Sequence, residues 1–218
     1  MGTVTIMMIR SVLDDVTLSK SRVEALADGV FAIVMTLLVL ELKVPELPRN
    51  VAQAELLRGI RELLPIFFSY FITFMLAASF WFFHHLYFHF IRHTTRALCW
   101  ISLIFLMFVS LLPFSTGMLG HFLRQRVAQY LYFGNQLAIG AALLGHWIYA
   151  RRANLFVGDA APEAIRALGI RLSIFPAATA VALAVSVFDT QLSFQACLFA
   201  ILLFILIERR RARRGKGA

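Results

Sequence analysis

Six apolar stretches, each about the length that crosses a lipid bilayer, dominate this sequence. In a helix, roughly 17 to 25 apolar residues span about 30 Å of hydrocarbon. Each stretch is too long and too continuous for a strand of a membrane barrel. The pattern therefore predicts an all-α, polytopic membrane protein with six transmembrane helices per subunit. The stretches cover residues 23–42, 63–86, 97–119, 127–150, 167–188 and 192–207.

The composition excludes an ordinary soluble domain. The chain of 218 residues is 60% hydrophobic and 15% charged, so too little polar surface remains to face water. We expect a flexible or interfacial lead at residues 1–20, a transmembrane domain at 21–208 and a basic tail at 209–218. The connections between the stretches are short, so any function must reside in the membrane or where several copies meet.

The basic residues predict the orientation of the chain. With an even number of spans both termini share one side, and that side receives fifteen of the 21 Lys and Arg residues. An excess of basic residues marks the cytoplasmic side, so we expect both termini in the cytoplasm. Six of the fifteen form the tail, where they are typical of a retention signal that contacts anionic lipid. No aromatic or glycine-rich recognition motif accompanies this charge, so no nucleic-acid partner is expected.

The first apolar stretch has a face of distinctive composition. A helical wheel places Gly29, Ile33, Thr36 and Leu40 on one stripe, with spacings of four, three and four residues. Two interpretations are open at this point. Gly and Thr let helix backbones approach closely, which favours a helix–helix contact. Alternatively, copies that converge on an axis would form apolar constrictions from Ile33 and Leu40 and a hydroxyl ring from Thr36.

Asp28 is unusual because a carboxylate near the start of a membrane helix is costly unless it is paired. Arg22 is six residues away and so lies on a different side of the helix. The second stretch offers Trp81, His84 and His85 near the same end. We predict that Asp28 bonds to one of these side chains and that the contact is structural.

These residues resemble a known family. They are similar to motifs of the prokaryotic members of the transmembrane protein 175 family, relatives of the lysosomal potassium channel. The matching residues are Arg22 and Asp28, residues 28–33 running into 36–41, the run 81–85 and the run 111–116. The resemblance covers residues 20–120 well. In the motif Arg-x-x-x-Phe-Ser-Asp, this chain has Leu26 and Ala27 where the family has Phe and Ser.

The resemblance implies an ion channel rather than an enzyme, without a cofactor. It implies a homotetramer in the bacterial inner membrane, in which the first helix of each subunit lines a potassium-permeable pore that has no pore loop. The narrowest point of the family, an apolar residue five after the motif Asp, maps onto Ile33, and the family's Thr eight after that Asp maps onto Thr36. Ser102 stands where relatives often have Asn. The implied pore residues are Gly29, Ile33, Thr36, Leu37 and Leu40, and the implied structural network is Arg22, Asp28, Trp81, His84, His85 and Ser102.

A small secondary transporter is the first alternative. Transporters often contain inverted repeats whose helices are interrupted by Gly or Pro in corresponding positions of the two halves. We place Pro65, Pro113 and Pro176 at or near the ends of spans, and the halves 23–119 and 127–207 show no convincing similarity.

A histidine-liganded metal or haem protein is the second alternative. His85, His89 and His93 recur every four residues, which on a helix would place imidazoles on one face. We expect His89 and His93 in a loop, and no supporting carboxylate is near. Cys99 and Cys197 both lie in apolar stretches and predict neither a disulfide nor a zinc site. No metal is therefore predicted.

Overall fold

The computed structural model describes residues 19–48, 50–157, 162–193 and 195–196. Within these ranges the chain forms helices and no β-strand, so the predicted all-helical fold is confirmed there. A short 3-10 turn, Val39–Glu41, extends the first helix. The α-helices are α1 (Lys20–Leu38), α2 (Gln53–Glu62), α3 (Leu64–His89), α4 (Arg96–Ser110), α5 (Leu112–His121), α6 (Arg126–Arg152) and α7 (Pro162–Phe188).

Among the described residues, four helical segments are long and apolar enough to cross a membrane: Lys20–Glu41, Leu64–His89, Arg96–His121 and Pro162–Phe188. They coincide with the predicted first, second, third and fifth spans. α6 covers the predicted fourth span with 27 residues, although it contains more polar side chains. The predicted sixth span, 192–207, lies mostly outside the described residues, so the count of six spans stays a prediction.

Pro113 and Pro176 lie inside spans, whereas the sequence predicts both at or near the ends of spans. Pro113 has no N–H to donate, and the third span is interrupted at Leu111, between α4 and α5. Pro176 lies within α7, where its ring packs closely on α6. A Cβ added to Gly140 would lie 3.1 Å from the Pro176 ring, so glycine allows this approach without a shift of the ring by a few tenths of an ångström. The two prolines do not occupy corresponding positions in the two halves of the chain, which gives the transporter alternative no support.

α1 packs on α3, α4 and α5 through one face. The buried side chains on this face are spaced four, four, three and four residues apart, which matches the helical period. The Phe31 ring meets the Phe105 ring of α4 at a centroid distance of 5.9 Å. The buried residues are Val23, Ala27, Phe31, Val34 and Leu38.

At the end of the bundle where α1 begins, two connections between helices are joined through their backbones. Arg92 N–H donates to the carbonyl of Leu155 over 2.8 Å, and Val157 N–H donates to the carbonyl of Phe90 over 3.0 Å. Lys20 Nζ donates to the carbonyl of Ile91 over 3.1 Å. These bonds fix the start of α1 against the connections α3–α4 and α6–α7.

Candidate functional site

The predicted stripe of α1 lies on the face opposite its buried side chains. Ile33 is 60% exposed and Leu40 is 65% exposed, and Gly29, Thr36 and Leu37 are exposed as well. A Cβ added at Gly29 would meet no atom within 4 Å. Within the described part of one subunit this face therefore has no packing partner.

Thr36 satisfies its hydroxyl proton within its own helix. Its Oγ1 donates to the carbonyl of Ile33 over 2.7 Å and approaches the carbonyl of Ala32 at 3.1 Å. A threonine hydroxyl has one proton and two acceptor lone pairs. Because the proton is already used, Oγ1 offers acceptor capacity to any outside group, which suits a cation better than an anion.

Asp28 contacts one of the three side chains that the sequence offered. The Trp81 indole N–H donates to Asp28 Oδ1 over 2.8 Å and so links α1 to α3. The His85 ring stacks on Trp81 with a centroid distance of 5.8 Å and an interplanar angle of 20°. Asp28, Trp81 and His85 thus form a row on the exposed side of the helix pair, which we call the outer row.

His84 lies on the other side of α3, in the core. Its ring is parallel to Phe105, at 5.3 Å between centroids and 2° between planes, and it also stacks on Phe88 at 4.4 Å. Its Nε2 is buried and has no hydrogen-bond partner among the described residues. His84 and His85 are adjacent in sequence but belong to two separate clusters.

Ser102 joins the core cluster through a histidine of α6. Ser102 Oγ lies 3.1 Å from Nε2 of His146 and donates its own proton to the carbonyl of Leu98 over 2.9 Å. Oγ can therefore accept from His146 in the tautomer that has the ring proton on Nε2. The Tyr87 hydroxyl donates to the carbonyl of His146 over 2.9 Å. We call His84, Ser102 and His146 the inner cluster.

Sequence reasoning missed His146 as a member of this network. A signal was present, because Gln129, Gln136 and His146 are spaced seven and ten residues apart, close to two and three helical turns, and all three are buried. The partner of His146 could not be read from the sequence, because Ser102 is 44 residues earlier.

Arg22 is exposed, and it forms no ion pair with any residue in the described ranges. The bond that holds the start of α1 comes instead from Lys20, which the sequence analysis used only to predict orientation.

The three-histidine face does not form. α3 continues to His89, which we had expected in a loop, because the apolar side chains Tyr87 and Phe88 are still buried in the core. His93 lies beyond the end of α3, so it does not share a helical face with His85. Among the described residues, no three side chains of His, Cys, Asp or Glu come together in a metal-binding arrangement.

Comparison with known proteins decides the family. A sequence model described as the endosomal/lysosomal potassium channel TMEM175 matches residues 22–113. A potassium channel from Chamaesiphon minutus is 32% identical over 189 residues, which cover 85% of this chain and 93% of the relative. The chain belongs to the TMEM175 family.

Other TMEM175 proteins are similar in structure or in sequence. The crystal structure of a lysosomal potassium-selective channel TMEM175 homolog from Chamaesiphon minutus matches with a TM-score of 0.73 and 30% identity, over 86% of this chain and 96% of that chain. A human relative named as an endosomal/lysosomal proton channel is 39% identical over 114 residues, which are 50% of this chain and 22% of the human protein. This TMEM175 chain is therefore a membrane protein of the channel fold.

Proposed function

We propose that this TMEM175 chain is a subunit of a homotetrameric, potassium-permeable cation channel of the bacterial inner membrane. Each subunit crosses the bilayer six times, has both termini in the cytoplasm and contributes no pore loop. The name and structure of the Chamaesiphon minutus relative, a potassium-selective channel, support the transported ion. Membership in the TMEM175 family supports the proposed subunit architecture.

The observation that carries the proposal is the exposed face of α1. This face combines Gly29, Ala32 and Thr36 with large apolar side chains such as Ile33, and it has no charged residue between Gly29 and Leu40. A face that only contacts lipid gains nothing from glycine or threonine. Small residues allow backbones to approach one another, so the composition favours contact with copies of the same helix around an axis.

In the proposed pore, Ile33 and Leu40 form two apolar constrictions. A narrow apolar ring loses water and closes the path to ions, whereas a wider ring stays wet. Thr36 lies one turn from each, and four copies of its Oγ1 would replace part of the hydration shell of a potassium ion. Gly29 and Leu37 complete the lining.

The outer row and the inner cluster have a structural role in this proposal. The bond from Trp81 to Asp28 fixes the rotation of α1 about its own axis relative to α3. The contact between Ser102 and His146 fixes α4 against α6. Together they hold the pore face of α1 toward the axis, while Arg22 stays at the membrane surface.

Flux measurements test the proposal. Purified protein in liposomes with an outward potassium gradient should produce a potassium-dependent flux, and a pH-sensitive dye in the same vesicles reports protons, which the name of the human relative makes the second candidate ion. If folded, tetrameric protein produced neither flux, the channel proposal would be wrong. A proton flux without a potassium flux would identify the proton, and not potassium, as the transported ion.

The Ile33→Ser variant tests the constriction. We expect the potassium flux to rise roughly tenfold, which corresponds to a barrier lower by about 1.4 kcal/mol. Phe71→Ser on the exposed face of α3 is the matched control and should leave flux unchanged. Equal effects of the two substitutions would move the constriction away from Ile33.

A further inference from the structure

A cavity of about 710 Å³ lies between the end of α6 and the start of α7. It is at the same end of the bundle as the start of α1, and it is separate from the exposed face of α1. Its lining combines two guanidinium groups with an amide and two aromatic rings. The residues that matter here are Trp147, Arg151, Asn154, Phe156 and Arg166.

The walls of the cavity are held by hydrogen bonds and ring contacts. The Trp147 indole N–H donates to the carbonyl of Ile165 over 3.3 Å and so ties α6 to α7. The Arg151 guanidinium lies over the Trp147 ring, 5.3 Å from its centroid. Asn154 adopts a left-handed backbone with φ of 52°. The backbone of Phe156 forms an isolated antiparallel β-bridge with Ile91 of the α3–α4 connection.

The charge of this cavity is unbalanced. Arg151 and Arg166 both line it, and no described carboxylate does, since Glu163 of the first turn of α7 is not part of the lining. Neither arginine forms an ion pair with a described residue. Guanidinium groups bind phosphate through two parallel hydrogen bonds, and the Asn154 amide adds a further donor.

The position of the cavity favours a lipid as the source of the phosphate. It lies at the start of α7, which is long and apolar enough to cross a membrane, and at the end of α6, which covers the predicted fourth span. Trp147 has the amphipathic ring that is enriched at the membrane interface. Basic pockets between membrane helices bind the headgroups of anionic lipids. We propose that Arg151 and Arg166 bind the phosphate of an anionic phospholipid in this cavity.

Lipid binding to the full-length protein tests the proposal. Native mass spectrometry of the purified assembly with equal amounts of phosphatidylglycerol and phosphatidylcholine should show preferential retention of phosphatidylglycerol. The double variant Arg151→Gln/Arg166→Gln should weaken that binding by at least about tenfold. The matched control is Arg92→Gln/Arg152→Gln, which removes the same charge from exposed arginines at the same end of the bundle that do not line the cavity.

Each outcome decides the proposal. Equal weakening in the two double variants means diffuse attraction to the basic surface and overturns the site, as does no weakening in either. If glycerol 3-phosphate displaced the lipid at an equal concentration, the cavity would still be a phosphate site, but the assignment of that phosphate to a lipid would be overturned. If the double variant does not assemble, Arg166→Lys keeps the charge without the fork, and unchanged binding there also overturns the proposal.

Discussion

α1 and α3 both present a face to the outside of the subunit, and the two faces differ in composition. The exposed face of α1 contains Gly29, Ala32 and Thr36 among its large apolar side chains, whereas that of α3 is mostly large and apolar, as at Phe68 and Met75, with Ser79 as a small exception. Large apolar side chains are as well solvated by lipid as by protein, whereas small ones favour close contact between helices. Exposed side chains of a single membrane subunit can therefore have different surroundings in the membrane. We expect those of α1 to contact other subunits and those of α3 to contact lipid.

Cross-linking gives the largest difference between the two faces. In a background with Cys99→Ala and Cys197→Ala, we expect Ile33→Cys to form disulfide-linked dimers on mild oxidation, because copies of Ile33 meet at the axis of the proposed tetramer. Phe68→Cys should remain monomeric on a denaturing gel. The measurement is the dimer fraction in each variant.

The result would reverse the comparison if Phe68→Cys formed dimers and Ile33→Cys did not, since α3 would then face the neighbouring subunit. A dimer fraction that falls on dilution with lipid would reveal random collisions between separate assemblies, and this control applies to both variants.

The bond between α1 and α3 has an intermediate effect. Trp81→Phe keeps the aromatic ring but removes the donor to Asp28, and we expect a loss of about 1 kcal/mol, below the usual range for a hydrogen bond to a charged group because both side chains are exposed. For a chain of this size that loss lowers the melting temperature by roughly 2–4 °C. Thermal unfolding in detergent measures it.

Phe82→Leu is the control, because Phe82 is exposed on the same helix and makes no bond to α1 among the described residues. If Trp81→Phe melted at the same temperature as Phe82→Leu, the bond to Asp28 would contribute nothing to stability.

The smallest effect is expected at the hydroxyl groups. Thr36 and Ser79 are both exposed, and each donates to a carbonyl of its own helix, Ser79 over 2.8 Å to Met75. We expect Thr36→Val to reduce the preference for potassium over sodium by about threefold, which is roughly 0.6 kcal/mol and near the low end for one hydrogen bond. Bi-ionic potentials measure this ratio.

Ser79→Ala removes the equivalent hydroxyl from α3 and should leave the ratio unchanged. If both substitutions changed the ratio alike, selectivity would not depend on the face of α1.

Much of the fold could be predicted from the sequence, since apolar length and helical period are local properties. The division of α1 into two faces follows from this period, and the sequence narrowed the partner of Asp28 to three side chains. The break at Leu111 and the place of Pro176 inside α7 were not predicted, because a proline can end a helix or be accommodated within it. Which outcome occurs depends on the helices that pack around it.

The candidate site, like the fold, could be predicted from the sequence only in part. Its uncharged stripe could be read from spacings of three and four residues, but the separation of His84 from His85 could not. The two rings are neighbours on a helix, and a rotation of about 100° sends one toward Phe105 and the other toward Trp81. The partner of Ser102 also lies on a distant helix.

The sequence by itself determined that this chain is a helical membrane protein with a small-residue face on its first helix, because hydrophobic length and period act within a single segment. Only the tertiary structure decided which face is free, which histidine is buried with His146, and that Arg151 and Arg166 share a cavity. These arrangements depend on contacts between residues far apart in the chain, where packing selects one rotation of each helix among several that the local pattern allows.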